Sequence, residues 1–195
     1  MQSIYRFLIT LALVVPITTH ATVWNIDANH SNVGFKIKHL MVSNVKGSFQ
    51  KLSGLIETDD KDNTKTHVSV TIDIGSINTN QVQRDEHLKS PDFFDVAKYP
   101  TMTYVSRKIV KSSKGYTVIG DLTLHGVTKE VILKSDGPSK EINDGWGNIR
   151  RGISAFAKIS RKDFGLTYNA VLEAGGVVIG DDVEISLEIE GIKTK

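Results

Sequence analysis

Apolar and polar positions alternate through most of the chain, and the alternation predicts strands. In "DDVEISLEIEGI", Val183, Ile185, Leu187 and Ile189 fall on one face, with Glu184, Ser186, Glu188 and Glu190 on the other. A period of two with one wet face is the pattern of a half-buried strand. "NVGFKIKHL" sets Val33, Phe35 and Ile37 against Lys36 and Lys38. "THVSVTIDIGSI" sets Val68, Val70, Ile72 and Ile74 against Ser69, Thr71 and Asp73. In "YTVIGDLTLHG", Val118, Gly120, Leu122 and Leu124 oppose Thr117, Asp121 and Thr123. In "RGISAFAKISR", Ile153, Ala155, Ala157 and Ile159 oppose Ser154, Lys158 and Ser160, with Phe156 as an apolar residue on the outer side. Weaker strands are expected at 23–27, 45–57, 101–110 and 130–135. Gly, Asn and Asp turns such as "SSKGY" and "NDGWGN" separate them. No βα repeat is present, so the prediction is an all-β, antiparallel barrel or sandwich of about eight strands.

One segment breaks the rhythm. "TNQVQRDEHLKS" predicts a short helix over 81–88 with Thr79 or Asn80 as N-cap. "SPDFFDV" offers a second start, with Ser90 as cap, Pro91 at the first helical position and Asp92 near the positive end of the helix dipole. The helical segment is thus expected near 80–95, with Phe93 and Phe94 as apolar plugs.

The opening 21 residues read differently. Arg6 precedes the uncharged run from Phe7 to Val15, and Pro16 and Thr19-His20-Ala21 follow. This is the layout of a secretory signal peptide cleaved after Ala21, with an apolar run short for a bilayer span. Residues 22–195 would form one domain, exported to the periplasm without stable membrane insertion. The chain has no cysteine, so packing alone must stabilise it in an oxidising compartment. Its net charge of +2 argues against a nucleic-acid partner, which would call for a basic face.

Candidate chemistry centres on "RDEHLKSPDFFDVAKYP", which gathers Asp85, Glu86, His87, Asp92 and Asp95. The helix signals account for Ser90, Pro91 and Asp92 without catalysis. The six histidines show no H-x-H or H-x-x-x-H spacing, so no metal site is expected. No G-x-S-x-G elbow or Gly-rich phosphate loop is present.

"ANHSNVGFKIKHLMVSNVKGSF", "GSINTNQVQRDEHLKSPDFFDVAKYPTMTY", "GDLTLHGVTKEV", "WGNIRRGISAFAKISRKDFGLTYN" and "GDDVEISLEIE" together resemble the YceI-like family of exported bacterial proteins. The resemblance implies a lipocalin-like antiparallel β-barrel around a long apolar pore. It implies binding of a polyisoprenoid, a quinone-type lipid or a related amphiphile, with no further cofactor. The inward pore residues would be Phe35, Ile37, Val70, Ile72, Met102, Tyr104, Leu122, Leu124, Ile153 and Ala155, with Gly120, Ala155 and Ala157 leaving room. The alternative for the same side chains is a solid core. Arg84, His87 and Arg151 would form a rim for a polar head group, unless the arginines pin loops through Asp85, Glu86, Asp92 or Asp163. The expected function is a non-catalytic periplasmic lipid carrier. The alternatives are a periplasmic hydrolase or isomerase using acid or His residues at the barrel mouth, and a stress-related partner-binding module. A homodimer is conceivable through the surface bearing Phe156.

Overall fold

A computed structural model describes residues 21–170 and 177–194. Residues 1–20, and with them the signal-peptide expectation, lie outside the described residues. The strands are β1 (Ala21–Ile26), β2 (Asn32–His39), β3 (Ser43–Phe49), β4 (Leu52–Asp59), β5 (His67–Asp73), the short β6 (Ile77–Asn78), β7 (Thr101–Ser112), β8 (Gly115–Leu124), β9 (Val127–Ser135), the short β10 (Ile142–Asn143), β11 (Ile149–Ser160) and β12 (Ile179–Lys193); the helix α1 spans Val82–Lys89. All pairings are antiparallel. They close into an 8-strand barrel, in which β1–β2 and β3–β4 each act as one long strand with a break.

Closure is the work of β12. One edge pairs with β11 from Asp182 to Ile192. Its other edge serves β2 through Ile179–Glu188 and β1 through Gly191–Lys193. The predicted alternation holds here: Val183, Ile185, Leu187 and Ile189 face inward, and Glu184 and Glu188 are exposed. Phe156 stands on the outer wall and is exposed.

The break between β1 and β2 is held by charge. Arg150 at the start of β11 donates to Asp27 (2.7 Å), Asp144 (2.8 Å) and Glu190 (2.5 Å). Asp27 also meets His30 Nδ1 at 2.8 Å. The bonds from His30 and then Arg150 lower the Asp27 carboxyl from 3.8 to about 2. A depressed carboxylate stabilises the fold above its unfolded pKa, and that contribution is lost as pH falls through the folded value. The difference in urea midpoint between wild type and Asp27→Asn is therefore expected to be widest above about pH 4 and to close as pH approaches about 2. A difference that stays constant with pH would show that this carboxylate is not the acid-sensitive strut.

The helical segment departs from expectation in two ways. Gln81, not Thr79 or Asn80, caps α1, its side chain accepting from Arg84 N–H. Asn80 instead takes a positive φ of 60°, and Thr79 binds Asp85 through its N–H and hydroxyl. The stretch after Ser90 is a run of turns rather than a second helix, with Phe93, Phe94, Asp95 and Val96 N–H groups returning to Ser90, Leu88, Ser90 and Lys89. These turns tuck Phe93 inside and set Phe94 edge-on to Phe49 at 6.1 Å.

An apolar cavity in the barrel

Inward side chains only partly fill the barrel. The wall of β7, β8 and β9 is tightly packed, with Met102, Tyr104, Leu122, Leu124 and Val131 buried. Opposite it, Phe35, Ile37, Ile159, Val183, Ile185 and Leu187 point inward yet keep accessible surface. They line a hollow of about 410 Å³. A second hollow of about 120 Å³ lies toward the other end, lined by Ile153, Ala155, Ile189, Val118 and Trp24 among others.

Tyr104 stands between them and contributes to both linings, as do Leu133 and Leu187. Its hydroxyl donates to the carbonyls of Val118 (3.2 Å) and Val131 (3.3 Å), and burial pushes the phenol well above its ordinary range. Gly120 makes this position possible, since a Cβ there would lie 2.6 Å from the Tyr104 ring. The room expected over Gly120 is thus occupied by the Tyr104 ring, which lies along the β7–β8–β9 wall.

Of the ten residues expected to line a pore, Phe35, Ile37, Ile72, Met102, Tyr104, Leu122 and Leu124 border the larger chamber, and Ile153 and Ala155 the smaller. Val70 borders neither and packs against the core. The alternation of β12 was legible, but its residues Val183, Ile185 and Leu187 were missing from the expected lining.

The expected rim is divided. Arg84 and His87 border the larger chamber from α1, whereas Arg151 borders the smaller one at the opposite end. There Arg151 donates to Ser139 O at 3.0 Å and lies over Trp24 at 5.6 Å. Arg84 donates through Nε and Nη2 to the Thr79 hydroxyl and carbonyl, at 2.7 and 2.8 Å. Among the described residues neither arginine forms an ion pair with a carboxylate, so the expected pinning through Asp85, Glu86, Asp92 or Asp163 is not what holds them. His87 does meet Asp92, at 2.9 Å, and its ring packs edge-on against Phe93 (5.0 Å) and Tyr168 (5.2 Å).

Three mouth residues in "SRKDFGLTYN" were not anticipated as lining. Arg161 is only 4% exposed and borders the larger chamber together with Leu166 and Tyr168. Its guanidinium donates to the carbonyls of Leu166 (2.5 Å), Tyr168 (2.9 Å) and Gly180 (2.9 Å). One fork therefore ties the turn after β11 to the start of β12. Asn169 reinforces it by bonding both N–H and C=O of Ile179. The sequence around Arg161 carried no signal for this role, because periodicity cannot supply the carbonyl partners that the turn after β11 and the start of β12 bring to it.

Asp27, His30 and Glu190 bring three potential metal-ligand atoms within 4.8 Å of one another. Arg150 already donates to both carboxylates there, so a positive charge occupies the place a cation would take.

The chain matches the YceI-like domain family over residues 24–191. A UPF0312 protein of Yersinia enterocolitica is 38% identical over 169 residues, covering 87% of this chain and 84% of the relative. The crystal structure of a Campylobacter jejuni YCEI protein superposes with a TM-score of 0.68 at 34% identity, covering 82% of this chain and 91% of that one. A polyisoprenoid-binding domain from Saccharophagus degradans shares the fold, with a TM-score of 0.63 at 18% identity and coverage of 88% and 98%.

Proposed function

This chain belongs to the YceI-like family, and from that premise we propose that it is a non-catalytic periplasmic carrier of a polyisoprenoid or quinone-type chain. The observation that carries the proposal is the apolar chamber of about 410 Å³, whose inward Val183, Ile185 and Leu187 remain only partly buried. Small-molecule pockets typically span about 300–1,000 Å³. Each methylene moved from water into such a lining contributes roughly 0.8 kcal/mol, so a long unbranched or methyl-branched tail is held by burial alone. The shared fold of a polyisoprenoid-binding domain is compatible with that ligand class. Arg84 and His87 stand where a polar head would emerge, and Arg84 Nη1 has no protein acceptor among the described residues. The periplasmic location rests on the N-terminal sequence alone. Among the described residues, no helix is long and apolar enough to cross a membrane.

The proposal is tested by native mass spectrometry of the mature protein purified without detergent. A co-purifying lipid mass that extracts into organic solvent is expected. Protein that is repeatedly empty, and that takes up no isoprenoid alcohol when offered one, would overturn the carrier reading. The enzymatic alternative has one observation in its favour, the His87–Asp92 pair at the mouth. Incubating the loaded protein and finding the lipid chemically changed would favour it.

A further inference from the structure

The turn between β2 and β3 is built against its own conformational preferences. Leu40 and Met41 adopt φ of 49° and 62°, and Val42 N–H closes the turn on His39 C=O at 3.1 Å. Two successive positive φ values in a hairpin suit Asn and Gly, and apolar side chains are strained there. Leu40, Met41 and Val42 are 38%, 57% and 81% exposed. Three consecutive apolar residues thus occupy a strained tip where their burial contributes little to the fold.

The position of the tip supplies a reason. His39, immediately before it, borders the larger chamber, and so does Val178, whose carbonyl accepts from Leu40 N–H at 2.8 Å. The tip is therefore fixed at the rim of the cavity mouth. Tyr168, half-exposed, borders the same chamber, and tyrosine favours the boundary between water and lipid. On the stem of the hairpin Lys38 and Lys46 are exposed and form no ion pair among the described residues. Long basic side chains behind an apolar tip suit anionic phospholipid head groups.

We propose that the Leu40–Met41–Val42 tip docks the barrel mouth on the surface of a bilayer containing anionic phospholipids. Docked in this way, an apolar chain passes between membrane and chamber without crossing water. The proposal rests on the carrier reading, because a mouth that exchanges no lipid has no use for the contact.

The test uses the whole mature protein with vesicles of phosphatidylethanolamine and phosphatidylglycerol, and a pyrene-labelled isoprenoid alcohol as probe. Wild type is expected to float with the vesicles and to deliver the probe to them. The triple variant Leu40→Asn/Met41→Gly/Val42→Ser is expected to float at least tenfold less and deliver the probe correspondingly more slowly. Its thermal midpoint should be unchanged or higher, because Asn-Gly relieves the turn, so loss of folding cannot account for the result. Lys38→Glu/Lys46→Glu should lose binding to the anionic vesicles while leaving the weak binding to phosphatidylcholine vesicles as it was. Equal flotation and delivery by wild type and the triple variant would overturn the proposal, as would a dimer that dissociates in the variant while flotation persists. If the probe stays bound in solution while tip variants deliver it at the wild-type rate, docking fails and the carrier reading stands. If wild type floats through the tip yet holds no probe, the carrier reading fails instead.

Discussion

Replacing Ile185 by tryptophan is expected to exclude lipid from the barrel while leaving the barrel folded. Ile185 lies on β12 between Phe35 on β2 and Ala157 on β11, and all three point toward the lumen. The Ala157 methyl leaves space beside it, so the larger ring can enter the chamber of about 410 Å³ without displacing strands. Overpacking a filled core usually costs about 1–3 kcal/mol; a partly empty one absorbs the ring with less strain. The ligand loses that space. Displacing about three methylenes at roughly 0.8 kcal/mol each weakens binding by about 2.4 kcal/mol, or roughly 50-fold. Titration with a fluorescent isoprenoid, alongside thermal unfolding, checks both halves. Wild-type affinity in a folded Ile185→Trp variant would show that the chain does not occupy this chamber. Ile185→Val, which only enlarges the lumen, should bind nearly as wild type does.

Arg161→Ala should be the most damaging single truncation at the mouth. The guanidinium bonds three carbonyls at 2.9 Å or less and lies 3.3 Å from Asp181 Oδ1. Burial lowers its pKa, but an arginine remains charged throughout the ordinary pH range. Removing it leaves the Leu166 and Tyr168 carbonyls without that donor in a largely dry wall. Each unsatisfied buried group costs about 1–3 kcal/mol, so a loss of roughly 3–5 kcal/mol is expected. For a domain of this size that corresponds to a fall in thermal midpoint of about 10–15 °C. Arg161→Lys keeps the charge but not the planar fork, and should fall between the two. A loss below about 1 kcal/mol in the alanine variant would mean that water replaces the guanidinium at little cost. Because Leu166, Tyr168 and Ile179 all border the chamber, the alanine variant should also release bound lipid faster at temperatures where it is still folded.

His87 shows why the polar segment near 80–95 was hard to read. In sequence it sits among four carboxylates, which suggests acid–base chemistry. In the fold, Asp85 is engaged by Thr79, Glu86 by Lys89 at 3.0 Å, and Asp95 occupies a turn with φ of 48°. Only Asp92 reaches the imidazole. The segment frames a mouth, where Phe93 and Phe94 line the chamber beside Arg84, His87 and Leu88. The caps were legible in kind but displaced by a residue or two, because neighbouring polar residues compete for the same orphan N–H groups.

The sequence by itself determined where most of the long strands run and which face of each is apolar, though not the break that separates β3 from β4. A period of two follows from backbone pleating and needs no tertiary contact; β2, β8, β11 and β12 could be assigned a wet and a dry side on that basis alone. What lies beyond the dry side was decided only by the tertiary structure. The distance across the barrel depends on strand number and stagger, and these join residues as remote as Trp24 and Lys193. Only the folded barrel shows that Tyr104 lies over Gly120 along the β7–β8–β9 wall, that Val70 meets core instead of cavity, and that Arg84 and Arg151 stand at opposite ends. Alternation fixes the direction of a side chain, but whether it meets another side chain or open space depends on the opposite wall.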